Sequence, residues 1–154
     1  MLALRRLSLL AGFLASGIVS ISTLGAAPEL PPAATRPGVT YEKDIRAIFE
    51  ENCFRCHGAE RAKGDIRLDS LAGILKGGED GKIVLPGNSA ESPLVLAVAR
   101  VDERSAMPPI RKPRPGGPPP GGGPGGLGNG GPPAKALTAG EVGLIRAWID
   151  QGAH

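Results

Sequence analysis

Between Pro108 and Pro133, 20 of 26 residues are proline or glycine, and this stretch decides which parts of the chain can pack. Proline removes a backbone donor, and glycine loses the most conformational freedom on ordering. The few apolar residues of the segment cannot offset that entropy. No strict three-residue glycine period runs through it, which excludes a collagen helix. The segment is therefore expected to be a disordered insertion, and recognition of its prolines by a partner domain is the sharper alternative. It holds half of the 40 glycines and prolines in the 154 residues. Setting it and a short leader aside leaves about 90 residues as the foldable unit, Val39 to Met107 plus Ala134 to His154. Three Phe, one Trp and one Tyr are the only aromatics in the whole chain. Because aromatics bury the largest areas per residue, so few of them leave room for a non-protein group in the interior.

The N-terminus reads as an export signal over residues 1–25. Arg5 and Arg6 form a positive start, Leu7 to Leu24 is apolar, and Thr23-Leu24-Gly25 presents small residues for cleavage after Gly25. The alternative is an uncleaved anchor, since the apolar run is about 18 residues long, at the lower edge of a bilayer span. Either outcome exports the bulk of the chain, to the periplasm or an equivalent extracytoplasmic space, and after cleavage no stable membrane insertion is expected. The chain has 18 Lys and Arg against 15 Asp and Glu. Without Arg5 and Arg6 the balance is 16 against 15, so the exported part is nearly neutral. No run interleaves Lys or Arg with stacking aromatics, and nucleic acid is not an expected partner. Residues 26–38, rich in Pro and Ala, read as a disordered leader. Residues 39–154 form one domain, interrupted by 108–133.

Within that domain, Tyr41, Ile45, Ile48 and Phe49 recur at helical spacing, and Glu42 suits the first turn. A helix is predicted from Thr40 to about Asn52. Asp65 to Asp69 alternates like a short extended piece. Ser70 caps a brief helix through Leu75, which Gly77-Gly78 stops. Asp80-Gly81 and Pro86-Gly87 mark turns, and Ser92-Pro93 opens a helix to about Arg100 that offers Leu94, Val95 and Val98 for burial. The last helix carries the strongest local marks. Thr138 and Glu141 make a capping box, Leu137 and Val142 a hydrophobic staple, and Val142, Ile145, Trp148 and Ile149 one apolar stripe before Gly152. Its expected partner is the helix bearing Ile45, Ile48 and Phe49.

The two cysteines lie three apart and a histidine follows at once: Cys53-Phe54-Arg55-Cys56-His57. That spacing sets two sulfurs along one edge of a porphyrin, each able to add to a vinyl group, and projects the next imidazole toward the iron. The motif is the mark of covalent haem c attachment. Three other readings compete. A thioredoxin-like dithiol belongs at the end of a strand in a βαβ unit, whereas this motif follows a helix. A zinc site needs about four ligands, and the only other histidine is His154. A plain disulfide closes a very small ring and leaves His57 without a role. Neither a nucleophilic triad nor a phosphate-binding glycine loop is present.

With these residues in view, the chain resembles the small class I cytochromes c, and more closely the planctomycete-type cytochrome c domain, over Tyr41 to Ala153 outside the Pro/Gly segment. The resemblance rests on Asp44-Ile45-Arg46 and Phe49 before the Asn52 to Gly58 motif, on Lys63 to Asp69, and on Lys76-Gly77-Gly78. It continues through Val84 to Asn88, Ser92-Pro93-Leu94, Met107-Pro108-Pro109, Leu137-Thr138, Glu141 and Trp148 to Ala153. The long insertion after Met107-Pro108-Pro109 departs from the family's usual short connection. The resemblance implies a mostly α, small helical fold wrapped around one covalently bound haem.

A low-spin electron-transfer haem takes a second axial ligand beside His57. Met1 leaves with the signal, so Met107 is the remaining methionine and His154 the spare imidazole. Pro108 restricts the residue before it, and the resemblance also points to Met107; the bland alternative for a lone methionine is core filling. Cys53 and Cys56 are thus read as the haem thioethers, His57 as the proximal ligand and Met107 as the distal one. The expected role is one-electron transfer by a monohaem c-type cytochrome, an electron carrier rather than a catalyst of substrate turnover. A haem ligand sensor or peroxidase-like protein with an open distal site, and a CxxC dithiol module, are the alternatives. Arg55, Lys63, Arg67, Lys76, Lys82, Arg100 and Arg104 are candidates to neutralise haem propionates or steer a redox partner protein, or are simply solvated charges.

Overall fold

A computed structural model describes residues 29–109 and 135–154. The expected signal, the first residues of the leader and nearly all of the Pro/Gly insertion lie outside the described residues. Those described are helical and turn structure, and no strand occurs among them. The first element among the described residues is a π-helical turn, Tyr41–Ile45, that runs directly into α1, Arg46–Asn52. It continues with α2, Phe54–His57, a 3₁₀ turn at Lys63–Asp65, α3, Leu71–Lys76, α4, Pro93–Val98, and α5, Ala139–Asp150. The mostly α class that the resemblance implies is what the described residues form.

The helix expected from Thr40 to Asn52 is present, but its first turn is wider than an α turn. The Thr40 hydroxyl does not cap it. The Asp44 carboxylate instead accepts from the Thr40 backbone N–H at 2.9 Å and pairs with Arg36 at 2.6 Å, with its own side chain only 4 % exposed. A carboxylate placed there satisfies a helix-end donor and meets the positive end of the dipole.

Tyr41, Ile45 and Phe49 are fully buried, as their spacing predicts, and Ile48 is half-buried at the edge. Trp148 stacks obliquely on Tyr41, ring centroids 6.2 Å apart, and the Tyr41 hydroxyl donates to the Leu68 carbonyl at 2.8 Å. Around these rings pack Ile74, Val84, Val95, Val98, Val142, Ile145 and Ile149. The stripe on α5 meets the opening turn Tyr41–Ile45 and α4, rather than the length of α1.

Local signals land where expected for α3 and α5. Ser70 accepts from the Gly73 N–H, and the Thr138/Glu141 capping box is complete. The alternating stretch Asp65 to Asp69 makes no strand; it is a 3₁₀ turn leading into irregular backbone that buries Leu68. Ser92 precedes α4 without capping it, because its hydroxyl is spent on the preceding loop. It donates to the Asn88 carbonyl and accepts from the Leu85 N–H.

Residues 29–38 correct the expectation of a disordered leader. Ala34 N–H donates to the Gly143 carbonyl at 2.9 Å, Arg146 donates to the Pro31 carbonyl, and Gln151 donates to the Arg36 carbonyl. Leu30 and Ala34 pack on the core. Three of its ten residues are prolines without a donor, and the segment is held both by its carbonyls, which accept from Arg146 and Gln151, and by its own Ala34 N–H on Gly143. Gly143 permits the approach: a Cβ there would meet the Pro32 carbonyl oxygen at 2.6 Å.

Candidate functional site

Cys53, Cys56 and His57 occupy one helical turn. α1 ends at Asn52, Cys53 breaks from helical geometry with φ −126, and α2 restarts at Phe54. The Cys53 carbonyl accepts from both the Cys56 N–H, at 3.0 Å, and the His57 N–H, at 2.9 Å. This turn fixes the relative placement of the three side chains through backbone bonds alone. His57 also forms an isolated bridge with Ala62, and its carbonyl accepts from the Leu68 N–H at 2.7 Å. Gly58 closes the turn under tight constraint, since a Cβ there would lie 2.5 Å from the Phe54 carbonyl oxygen.

Both cysteines are free thiols and half-buried. Burial pushes the Cys53 thiol up to about 12, with the nearby Cys56 charge adding to the effect. The imidazole of His57 is also half-buried, and desolvation lowers its pKa; the backbone groups of Ile66 and Lys63 oppose that shift. Neither closes a hydrogen bond onto Nδ1, which is buried without a partner among the described residues. A buried imidazole nitrogen without a partner needs a reason, and a neutral ring kept ready as a metal ligand is one.

Two thiols and a neutral imidazole on one turn match the donor set that covalent haem c requires. Among the described residues, no group of three or more His, Cys, Asp and Glu side chains is arranged to hold a metal ion. Cys53, Cys56 and His57 do not themselves form a zinc-type cluster, and no strand leads into α2 as a thioredoxin-like dithiol requires.

Met107 lies on the segment after α4. Its N–H donates to the Ala97 carbonyl at 2.9 Å, and its bond to Pro108 is cis. Ala106 and Pro108 are buried on either side, while Met107 itself is 37 % exposed, the one large exposed hydrophobic among the described residues. It is not packed as core filler. His154, the other candidate ligand, has an exposed side chain, and its carbonyl accepts from the Tyr41 N–H and from Trp148 Nε1.

Phe54 and Arg55 of the motif help wall a cavity of about 600 Å³, together with Arg46, Glu50, Arg61 and Asp69 among others. None of Cys53, Cys56, His57 and Met107 lines it, and its charges are mixed. Of the basic residues singled out in the sequence, Arg67 is bound to Asp69 at 2.6 Å and Lys76 to Asp65 at 2.7 Å, and Lys82 donates to the Leu75 carbonyl. Arg67 holds the Asp69 carboxyl below its usual range. The contacts that sequence reasoning missed are backbone ones: Lys63 and Ile66 beside His57, and Ala97 beneath Met107. A carbonyl carries no residue-type signature, so spacing alone does not reveal it.

Residues 53–110 match the family model described as Planctomycete cytochrome C, which supports a planctomycete-type cytochrome c domain in this part of the chain. The match begins at the first motif cysteine and runs through Met107-Pro108-Pro109, leaving out α1 and α5. A cytochrome c domain of this kind implies haem c bound through two cysteines spaced as Cys53 and Cys56 are. No curated protein and no solved structure matches the chain. No helix among the described residues is long and apolar enough to cross a membrane.

Proposed function

We propose that the protein is a monohaem c-type cytochrome that transfers single electrons in the periplasm or an equivalent exported compartment. The observation that carries this reading is the Cys53–His57 turn, with two free thiols and a buried imidazole nitrogen without a partner, inside the segment that matches the cytochrome c family. When bound, haem c supplies a one-electron iron couple. The chain's part is to attach, ligate and shield it. Cys53 and Cys56 would hold the haem through thioethers to its vinyl groups, and His57 and Met107 would ligate its iron; a thioether in place of a second imidazole would raise the reduction potential. A redox partner protein, docking at the surface, is the other party to the exchange.

The test is expression with periplasmic export and haem maturation, followed by haem staining on a denaturing gel and a haem-to-protein ratio. A stained band carrying one haem per chain, lost in Cys53→Ala/Cys56→Ala, is expected. An unstained band excludes the reading and leaves the dithiol module.

The exposure of Met107 favours one second reading, a haem protein whose distal side opens to an added ligand. Carbon monoxide and cyanide separate the two. A haem firmly ligated by Met107 resists both, whereas an open one binds them at once.

A further inference from the structure

The segment that carries Met107 is held at two points, and one of them is a side chain placed against its own backbone preference. α4 ends at Val98, and two residues later Arg100 sits at φ +58, in the left-handed region that glycine enters freely and a long side chain does not. The Ala97 carbonyl accepts from both the Arg100 N–H, at 3.1 Å, and the Met107 N–H, at 2.9 Å. From that turn the Arg100 guanidinium reaches across to Pro108, its Nη2 donating to the carbonyl at 3.1 Å. Its Nε is buried with no hydrogen-bond partner among the described residues.

The position thus carries two local costs, a strained backbone and an unpaired buried donor, which glycine would avoid. What the side chain gains in return is the bond to Pro108. Bonds to Met107 N–H and to the Pro108 carbonyl bracket the methionine, whose side chain alone stays exposed between buried Ala106 and Pro108.

We propose that Arg100 is the positioning residue for Met107: it clamps the Met107-Pro108 backbone and so sets how often the thioether leaves the haem iron. The proposal rests on the reading of Met107 as the distal ligand. An added ligand binds only when the thioether is away, so its apparent affinity reports that fraction directly. Removing a hydrogen bond from a charged donor raises the fraction by roughly tenfold.

The haem-loaded full chain tests this with Arg100→Gly, Arg100→Met and Arg100→Lys beside the parent and Met107→Ala. Measured are the sulfur-to-iron charge-transfer band of the ferric protein, the cyanide dissociation constant and the thermal midpoint. Arg100→Gly relieves the backbone and is expected to melt no lower than the parent, yet to bind cyanide roughly tenfold more tightly with a weakened band. Arg100→Met keeps the bulk and the backbone strain but loses the donor, and carries the same expectation for cyanide and the band. Arg100→Lys restores a cationic donor and recovers part of the parent behaviour. A role confined to the turn moves only the thermal midpoint. A parent band that vanishes in Met107→Ala but stands unchanged in Arg100→Gly and Arg100→Met overturns the clamp alone. A parent without the band, unaltered by Met107→Ala, overturns the ligand reading and the clamp with it.

Discussion

Burial pushes the Cys53 thiol up to about 12, away from the thiolate form that reacts. In the haem-free chain Cys53 is therefore almost wholly protonated at neutral pH. Alkylation of that chain with iodoacetamide at pH 8 should label Cys56 ahead of Cys53, read by peptide mass spectrometry; equal rates would show that Cys53 is not desolvated in solution. The same shift has a stability consequence. A group whose folded pKa is raised favours folding while it stays protonated. Its contribution is complete below its unfolded value, near 9, and is lost as pH rises toward about 12. The urea midpoint of the haem-free parent should accordingly fall between pH 8 and pH 11 more steeply than that of Cys53→Ala. Identical slopes would refute the assignment. His57 shows the opposite shift from the same cause, since desolvation disfavours the charge whichever protonation state carries it.

Among the elements, α5 joins the most distant parts of the chain. Its stripe meets Tyr41–Ile45 and α4, its Asp150 carboxylate accepts from the Ser89 N–H and hydroxyl, and its Gly143 and Arg146 hold the strap of residues 29–38. Two substitutions separate local from tertiary stabilisation. Thr138→Ala removes the capping box and should cost about 1 kcal/mol in urea denaturation; an unchanged midpoint would mean that the helix start is fixed by packing alone. Gly143→Ala has two opposed effects. Helix propensity favours alanine by about 1 kcal/mol, but the new Cβ would lie 2.6 Å from the Pro32 carbonyl oxygen, an overpacking that typically costs about 1–3 kcal/mol. If the strap is docked in solution, the thermal midpoint falls and residues 29–38 become sensitive to protease. A rise would show the strap detached. The contrast explains what was legible beforehand. Thr138, Glu141 and the stripe on α5 announce themselves within a dozen residues, and so do Ser70 and Gly77 around α3. Residues 29–38 carry no local mark of docking, because the bond from Arg146 to Pro31 spans 115 positions and a proline-rich segment has no periodicity to reveal its partner. The Cys53–His57 motif can be read from five consecutive residues because its chemistry is local. Met107 emerged by elimination and resemblance, but its anchoring by Ala97 and Arg100 depends on a left-handed residue that no motif marks.

At the scale of the molecule, the shortage of aromatics takes a sharper meaning. Tyr41, Phe49 and Trp148 stand together in one buried cluster with the aliphatic residues of α3, α4 and α5, while α2 contributes no fully buried side chain. Most of the core is thus complete without α2, and the turn that bears Cys53, Cys56 and His57 is attached to its edge by backbone bonds and half-buried contacts. Stability is unevenly distributed under such an arrangement, and the least protected region is the one that carries the proposed haem attachment. The Cys53→Ala/Cys56→Ala chain, prepared without haem, should keep its helical circular dichroism and a cooperative melt. In hydrogen exchange, amides of α5 and of Tyr41–Phe49 should be slow and those of residues 54–68 fast. Loading haem into the parent chain should slow exchange in 54–68 selectively and raise the thermal midpoint, because a ligand that binds only the folded state stabilises it by mass action and a covalent one cannot leave. A haem-free chain without a cooperative transition would mean that the aromatic cluster is not sufficient and that the whole fold waits for the cofactor. Uniform slowing across the chain on loading would place haem in the main core rather than at the edge held by α2.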